Sequence, residues 1–197
     1  MKKVLIAALL AAVLMTVMIS CGNEKTAEAP AAKTETAAAA EKAPAKPERI
    51  ISIDSTTIEG EPISDDFYLG YDIILVNMMS TTCPPCVKEI PELQEIHEED
   101  NGFGVVGVVA DTFDRKTGER VDANVGAAVD IKTKTGAEYP FIIPTADLLT
   151  VTMGKLAPVF PMSFIVDNTG RVVKGPIAGA RSKAEWITLL EEARKAL

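Results

Sequence analysis

Cysteine, histidine and tryptophan are scarce in this chain of 197 residues, which contains three cysteines, one histidine and one tryptophan. A structural zinc site needs four ligands, usually two Cys-x-x-Cys pairs or one pair with histidines. Cys83 and Cys86 form one such pair, and His97 is the single histidine. Covalent haem attachment needs histidine directly after the second cysteine, where Val87 stands. The sequence therefore predicts no bound metal and no cofactor.

Basic residues are also in the minority, with 20 Lys and Arg against 28 Asp and Glu and a net charge of −8. Proteins that bind nucleic acid neutralise phosphates with clustered Lys and Arg. The acidic balance argues against a nucleic-acid partner and against direct adsorption to anionic lipid.

The first residues are typical of an export signal. Lys2 and Lys3 precede an almost wholly apolar run, residues 4–19, that only Thr16 interrupts. This run is shorter than the roughly 20 apolar residues of a spanning helix. The sequence therefore predicts a signal peptide over residues 1–20. The alternative is an uncleaved anchor helix that happens to end near a cysteine.

The end of that run, Met18-Ile19-Ser20-Cys21-Gly22, resembles the lipobox of bacterial lipoproteins, although Leu is commoner than Met at the position of Met18. The resemblance implies that Cys21 is lipidated, becomes the new N-terminus and holds the protein on a membrane. It places the chain on the extracytoplasmic face of a bacterial membrane, in the periplasm or at the cell surface. Disulfides persist there, and Cys83 and Cys86 remain as the pair.

Residues 21–49 are predicted to be a disordered tether. From residue 23 they are mainly Ala, Lys, Glu, Thr and Pro, with no aromatic residue and no aliphatic side chain larger than Ala. Such a segment buries too little apolar surface to offset the entropy lost on ordering. The remaining residues, 50–197, have the usual size of one domain.

Two continuous apolar runs, residues 71–79 and 103–110, predict strands buried on both faces. Helical periodicity in residues 87–100 lies between them, and a hairpin turn at residues 168–170 precedes a terminal helix that starts near Ser182. The order is βαβ followed by ββα. We therefore expect an α/β domain with one central mixed β-sheet flanked by helices. Further segments are predicted around this core: strands at 50–58, near 63 and at 139–143, and helices at 121–134 and 146–153.

Cys83 and Cys86 stand where the first buried strand gives way to its helix. Unpaired N–H groups and the positive end of the helix dipole favour a thiolate at this position. Pro84 and Pro85 suit the first helical positions, where a missing N–H costs least. Cys83 is expected to be the exposed attacking thiol and Cys86 the deeper resolving thiol. The alternative is a structural disulfide, but so short a loop constrains the unfolded chain little.

The stretch from Ile73 to Pro91, centred on Cys-Pro-Pro-Cys, resembles the active-site segment of the TlpA/ResA branch of the thioredoxin superfamily. Residues 160–167 resemble that branch's loop and strand with a cis proline, and residues 167–173 resemble its last hairpin. The resemblance covers about residues 50–197. It implies a thioredoxin-like fold with an N-terminal β-extension and a helical insertion.

The resemblance also implies roles for individual residues. Glu89, one turn beyond Cys86, is expected to exchange a proton with it, and the alternative is a solvated helix carboxylate. Pro161 is expected to be cis and to face the dithiol beside a bound substrate strand, whereas an ordinary trans turn is the alternative. Phe160 is expected either to contribute to substrate binding or to pack in the core.

Three positions depart from thioredoxin-type sites. Thr82 stands directly before the first cysteine and Met79 three residues earlier, where Trp is common. Asn77 stands where thioredoxin has a buried Asp. Asn cannot accept a proton, so the proton acceptor is expected to be Glu89 or water. Trp186 is expected only to pack in the C-terminal helix, and His97 to be a surface or sheet-packing residue.

The leading hypothesis is a thiol–disulfide oxidoreductase that reduces disulfides of partner proteins. The resemblance implies a membrane thiol electron donor and apocytochrome c as a common substrate, and the chain is expected to be monomeric. A disulfide-donating oxidase remains open, since the residues between the cysteines do not settle the direction. So do a thiol peroxidase, which usually has Thr where Ser80 stands, and a lipoprotein that binds a partner without catalysis.

Overall fold

The computed structural model describes residues 49–154 and 159–197. The predicted signal peptide, the lipid site Cys21 and the tether up to residue 48 lie outside these residues and stay predictions. No helix within the described part of the chain is long and apolar enough to cross a membrane.

Within the described residues, seven strands form one mixed sheet. They are β1 (Ser55–Thr57), β2 (Pro62–Ile63), β3 (Ile73–Met79), β4 (Phe103–Val109), β5 (Phe141–Ile143), β6 (Met162–Asp167) and β7 (Val172–Ala178). Their order across the sheet is β2-β1-β5-β4-β3-β6-β7. β3, β4 and β5 are parallel, and every other neighbouring pair is antiparallel.

In the part of the chain that the structure describes, four α-helices connect and cover the strands. They are α1 (Pro84–Glu98), α2 (Asp122–Thr135), α3 (Ala146–Met153) and α4 (Lys183–Arg194). β3-α1-β4 and β6-β7-α4 form the two thioredoxin motifs, and α2, β5 and α3 lie between them in the chain. β1 and β2 extend the sheet beyond β5. The expected fold, with its N-terminal β-extension and helical insertion, is confirmed.

The sheet separates two layers of core. β3 and β4 are buried at every position, as their continuous apolar runs predict. Alternate residues of β3 point to opposite faces: Leu75 joins the core that contains residues of α1, α2 and α4, whereas Val76 joins the core that contains α3. Asn77 shares the face of Leu75, so a polar side chain of β3 points towards α1 and α4.

The strand predicted at residues 50–58 is shorter in the structure. Ile51 and Ile53 are fully buried, as the alternation predicts. Their N–H groups, however, donate to the Gly170 carbonyl and to the Asp65 carboxylate, not to a neighbouring strand. The alternating apolar pattern therefore predicts which side chains of this segment are buried, but it does not predict the hydrogen-bond partners of its backbone.

Two further elements differ from the predictions. Asp65–Gly70 forms a 3₁₀ helix, where no element was predicted. The strand that follows the predicted hairpin turn, β7, runs to Ala178 and includes Pro176, whereas the residues indicated a strand ending at Lys174. β7 is an edge strand, and an edge tolerates a residue without an N–H donor.

Candidate active site

The dithiol lies at the carboxyl end of β3, where the chain turns into α1. Cys83 is the N-cap residue of α1, with extended backbone angles, and Pro84 and Pro85 occupy the first helical positions. The Sγ of Cys83 accepts a hydrogen bond from the N–H of Cys86 at 3.3 Å. One unpaired donor of the first turn is thus aimed at the sulfur, as expected for a thiolate-stabilising helix start.

Cys83 and Cys86 are joined in a disulfide, so the structure shows the oxidised form of the site. Cys83 is half-buried, whereas Cys86 is only 2% exposed. Pro84 and Pro85 are exposed beside Cys83. A partner can therefore approach the first sulfur, while the second faces the core. This geometry suits the predicted division between an attacking Cys83 and a resolving Cys86.

Asp111 holds the loop that precedes Cys83. Its carboxylate accepts hydrogen bonds from the Thr81 hydroxyl at 2.6 Å, from the Thr81 N–H and from the Ser80 hydroxyl at 3.0 Å. Asp111 follows β4, and the parallel pairing of β3 with β4 brings their carboxyl ends together. The loop is thereby fixed to the neighbouring strand, and Thr82 remains exposed next to Cys83.

Pro161 directly precedes β6, whose first residue, Met162, pairs with Met78 near the end of β3. The Phe160–Pro161 peptide bond is cis, as the resemblance implied. Pro161 is buried and its carbonyl accepts from the Gly179 N–H at 2.9 Å, while Phe160 is half-buried against both core layers. The register places this loop at the same end of the sheet as Cys83.

Glu89 is buried, with 2% of its surface exposed, so it is not the solvated helix carboxylate of the alternative reading. Its Oε1 accepts from the Arg181 N–H and from the Trp186 indole Nε1, each at 2.8 Å. Its Oε2 accepts from the Asn77 side-chain Nδ2 at 3.1 Å. Three donors therefore satisfy a carboxylate that α1 carries one turn beyond Cys86.

Burial raises the pKa of Glu89 above the ordinary range of a glutamate. The hydrogen bonds from Arg181, Trp186 and Asn77 and the charge of Arg181 act in the opposite direction without cancelling it. A carboxyl with a raised pKa can carry a proton nearer neutral pH than an exposed glutamate. A raised pKa brings a carboxyl closer to the pKa of a thiol, which favours proton exchange between two such groups.

Asn77 links Glu89 to the adjacent strand. Its Nδ2 also donates to the Ser163 hydroxyl at 3.1 Å, and Ser163 is its partner across β3 and β6. The residue that departs from the thioredoxin pattern is therefore a donor to Glu89. It orients the carboxylate and does not compete with it for the proton.

His97 lies away from this cluster. Its ring is half-buried between Tyr71 and Tyr139, at centroid distances of 5.9 Å and 6.0 Å, in agreement with a packing role. Its Nδ1 is buried without a hydrogen-bond partner, and burial lowers its pKa, against the opposing charges of Glu98 and Glu138. In residues 49–154 and 159–197 no group of three or more His, Cys, Asp and Glu side chains is placed to hold a metal ion.

Two residues of the site were not predicted from the sequence, Asp111 and Trp186. Asp111 could have been found, because it directly follows a buried strand predicted to lie beside the strand that ends at the dithiol. Trp186 was expected only to pack, and it does so, but it also donates to Glu89. No local pattern signals a contact between residues this far apart in the chain.

The fold and the dithiol at the start of α1 define a thioredoxin-like thiol–disulfide oxidoreductase. The Redoxin family model matches residues 30–185, and the chain belongs to this family. It is 27% identical over 132 residues to the thiol-disulfide oxidoreductase ResA of Bacillus thuringiensis, covering 66% of this chain and 68% of that protein. The ResA of Bacillus anthracis matches with the same figures.

Solved structures agree. A thiol:disulfide interchange protein of the thioredoxin family from Chlorobium tepidum superposes with a TM-score of 0.61 and 28% identity, over 76% of this chain and 98% of that one. A DsbF homologue from Corynebacterium diphtheriae superposes with a TM-score of 0.56 and 21% identity, over 73% and 85% of the two chains. The second likeness concerns the fold alone.

Proposed function

We propose that this protein is a membrane-anchored, extracytoplasmic reductase of disulfides in partner proteins, with Cys83 and Cys86 as its redox centre. The observation that carries the proposal is the arrangement at α1: a half-buried Cys83 at the N-cap, a buried Cys86 and a buried carboxylate one turn further on. The thiol–disulfide chemistry belongs to the class already defined. The direction, the partners and the anchor are the proposal.

In the reducing direction the Cys83 thiolate attacks one sulfur of the partner's disulfide. A mixed disulfide forms, and the partner's other sulfur leaves as a thiolate. Cys86 then loses its proton and attacks the Cys83 sulfur, which forms the Cys83–Cys86 disulfide and releases the partner's second thiolate. Two electrons pass from the dithiol to the partner, whose sulfurs take up protons.

Glu89 is the proposed acceptor of the Cys86 proton. Cys86 is almost fully buried, so its thiol has little access to bulk water. The pKa of Glu89 is raised, so it differs less from the pKa of a thiol than that of an ordinary carboxyl does. Proton transfer from Cys86 to Glu89 is therefore less unfavourable than transfer to an ordinary carboxylate. The same carboxyl returns the proton when a donor reduces the disulfide again.

The partner is proposed to lie across Phe160, Pro161 and the exposed Thr82. Pro161 uses its own carbonyl within the fold, through Gly179, so the carbonyl of Phe160 is the one assigned to a partner strand. Thr82 and the hydroxyl-rich loop before Cys83 give a polar surface where many relatives of this fold have Trp. We therefore expect partners with polar residues around the disulfide.

The location rests on the N-terminus. We propose that Cys21 carries lipid, that the electron donor is a membrane thiol protein, and that the enzyme acts as a monomer. Apocytochrome c is the proposed substrate, since its haem-binding cysteines must be reduced before haem attachment. Labelling with a fatty-acid analogue in cells, with Cys21→Ser as the control, tests the anchor: label that persists in the variant contradicts it.

The catalytic proposal is tested with the full chain in detergent, a disulfide-bonded protein substrate and a thiol reductant. Wild type should accelerate reduction, Cys83→Ser should not, and Cys86→Ser should accumulate a mixed disulfide through Cys83. Equal activity of the double Ser variant and wild type would end the enzyme proposal. Turnover of peroxide in place of the disulfide would indicate the peroxidase alternative.

A further inference from the structure

Trp186, on the C-terminal helix α4, contacts the active site through Glu89. Its Nε1 donates to Glu89 Oε1 at 2.8 Å across 97 positions of sequence, and both side chains are buried. It is the one tryptophan in the protein. A buried indole N–H requires an acceptor, and here that acceptor is the carboxylate of Glu89, which lies one turn beyond Cys86 on α1.

The donors divide the two oxygens of Glu89 unequally. Oε1 accepts from both Trp186 and the Arg181 N–H, whereas within residues 49–154 and 159–197 Oε2 accepts one hydrogen bond, from Asn77. A carboxylate oxygen has about two lone-pair sites. Both lone pairs of Oε1 are therefore occupied by donors at or just before α4. Oε2 has one lone pair left that can accept the proton.

Two charged or titratable side chains from other elements, Arg181 and Tyr139, interact electrostatically with Glu89. Arg181, before α4, has its guanidinium 5.2 Å from the Trp186 ring centre, and its charge lowers the pKa of Glu89. Tyr139, before β5, has its pKa raised by burial and then by the charge of Glu89. On α1 itself, Cys86 lies three residues before Glu89, and its sulfur is held in the disulfide.

Three further carboxylates of the α1 region interact with Lys183 of α4. The Lys183 N–H donates to the Glu92 carboxylate at 2.7 Å, and its ammonium group pairs with Glu95 and Glu99. β3 contributes Asn77, which does not titrate. Trp186 is therefore a neutral donor to Glu89 whose removal changes no charge.

We propose that Trp186 is a positioning residue for the redox reaction: its indole N–H holds Glu89 Oε1 so that Oε2 faces the proton of Cys86. The inference rests on the proposed role of Glu89 in the function above. Removing the donor should leave the dithiol in place but make the charged form of Glu89 harder to reach. Mere packing of Trp186 would have no such effect.

The indole itself provides the first test, since all tryptophan emission comes from this residue. In the oxidised full chain in detergent the dithiol cannot titrate. The emission should change with pH in one step, with its midpoint above the ordinary range of a glutamate, and Glu89→Gln should abolish that step. An emission without the step, or a step that persists in Glu89→Gln, would overturn the inference.

The second test is the pH profile of disulfide reduction. Trp186→Phe keeps an aromatic ring but loses the N–H, so the midpoint that depends on Glu89 should rise by about one pH unit. Leu190→Val, a matched change in the buried face of α4, should keep the wild-type midpoint. A wild-type midpoint in Trp186→Phe would reduce Trp186 to a packing residue.

A third variant guards against misfolding. Because the chain has a single tryptophan, biosynthetic replacement by benzothienylalanine changes only this ring and substitutes sulfur for the N–H. It should shift the midpoint as Trp186→Phe does. No shift would overturn the inference. Failure of the proposed function is a separate outcome, since it appears as absent turnover in wild type whatever the emission shows.

Discussion

The two sulfurs of the site have opposite surroundings. Cys83 is half-buried beside exposed Pro84, Pro85 and Thr82, on a loop that Asp111 holds. Cys86 is buried on the face of α1 that carries Glu89. The first side is the proposed contact surface for a partner protein, and the second is the proposed site of proton exchange. Substitutions on the two sides should therefore affect different properties of the enzyme: partner binding on the first side and the pH dependence of the rate on the second.

The largest expected effect is the loss of either sulfur. Cys83→Ser should reduce turnover of a protein disulfide to the uncatalysed rate, because no nucleophile remains. Cys86→Ser should still attack once and then stop at the mixed disulfide. Non-reducing gels with the partner distinguish the two variants. Equal trapping by both would show that the two sulfurs are interchangeable.

Glu89→Gln should be next in size, with turnover about 10²-fold slower, as for the loss of a general acid–base group. Gln keeps the shape and can still accept from Trp186, but it cannot take the proton. The low-pH limb of the rate profile, where wild-type Glu89 gains its proton, should disappear. The rate is measured from pH 5 to pH 9, and a surviving limb in the variant would place the proton acceptor elsewhere.

Glu89→Gln should lower turnover, but it should raise the free energy of unfolding relative to wild type as pH rises. The pKa of Glu89 is raised on folding, so its contribution is fully favourable below the ordinary glutamate range and is lost as pH rises through the raised folded pKa. Glu89→Gln should lack this loss. The difference in free energy of unfolding between variant and wild type should therefore grow in favour of the variant as pH rises to neutral. A pH-independent difference would contradict the raised pKa.

Asp111→Ala tests the exposed side. It leaves the Thr81 N–H and the hydroxyls of Ser80 and Thr81 without their acceptor, which should cost about 1–3 kcal/mol of stability. Looser placement of Cys83 should raise KM for the partner more than it changes the pH profile. Denaturant melts and steady-state kinetics check both. A shifted pH midpoint would show that the two sides are coupled.

The smallest effect is expected for Thr82→Ala. The side chain is exposed, so stability should change by no more than about 0.5 kcal/mol. Its hydroxyl lies 3.0 Å from that of Ser80, and Asp111 still holds Ser80 without it. KM for a protein partner should change modestly, whereas the rate with a small disulfide should not. An equal effect on both substrates would show that Thr82 acts on Cys83 and not on the partner.

The exposed side and the buried side also differ in how far the sequence predicts them. The dithiol, its place at a strand-to-helix junction and the strands that carry it follow from local patterns: an apolar run, a Cys-Pro-Pro-Cys motif and a helical period. The burial order of Cys83 and Cys86 follows as well, since one starts the helix and the other lies a turn deeper.

The buried side, with Glu89 and its hydrogen-bond donors, could be predicted only in part. Glu89 was named by resemblance, but residues around it include four further glutamates, and composition alone does not reveal which one is buried. Its donors Arg181 and Trp186 follow β7, and they reach Glu89 only because α4 packs on the same face as α1. Such long-range pairing is set by tertiary packing, for which this sequence has no local signal.

The most direct test of the central claim is the reduction potential of the Cys83–Cys86 pair. The full chain is equilibrated in defined thiol–disulfide buffers, alkylated and digested, and the peptide with both cysteines is weighed, so that Cys21 does not interfere. A partner-protein reductase predicts a potential at or below about −220 mV, in the range of thioredoxin and the glutaredoxins. A value near about −120 mV, that of a strong oxidant, would contradict the reductase and make the protein a disulfide donor.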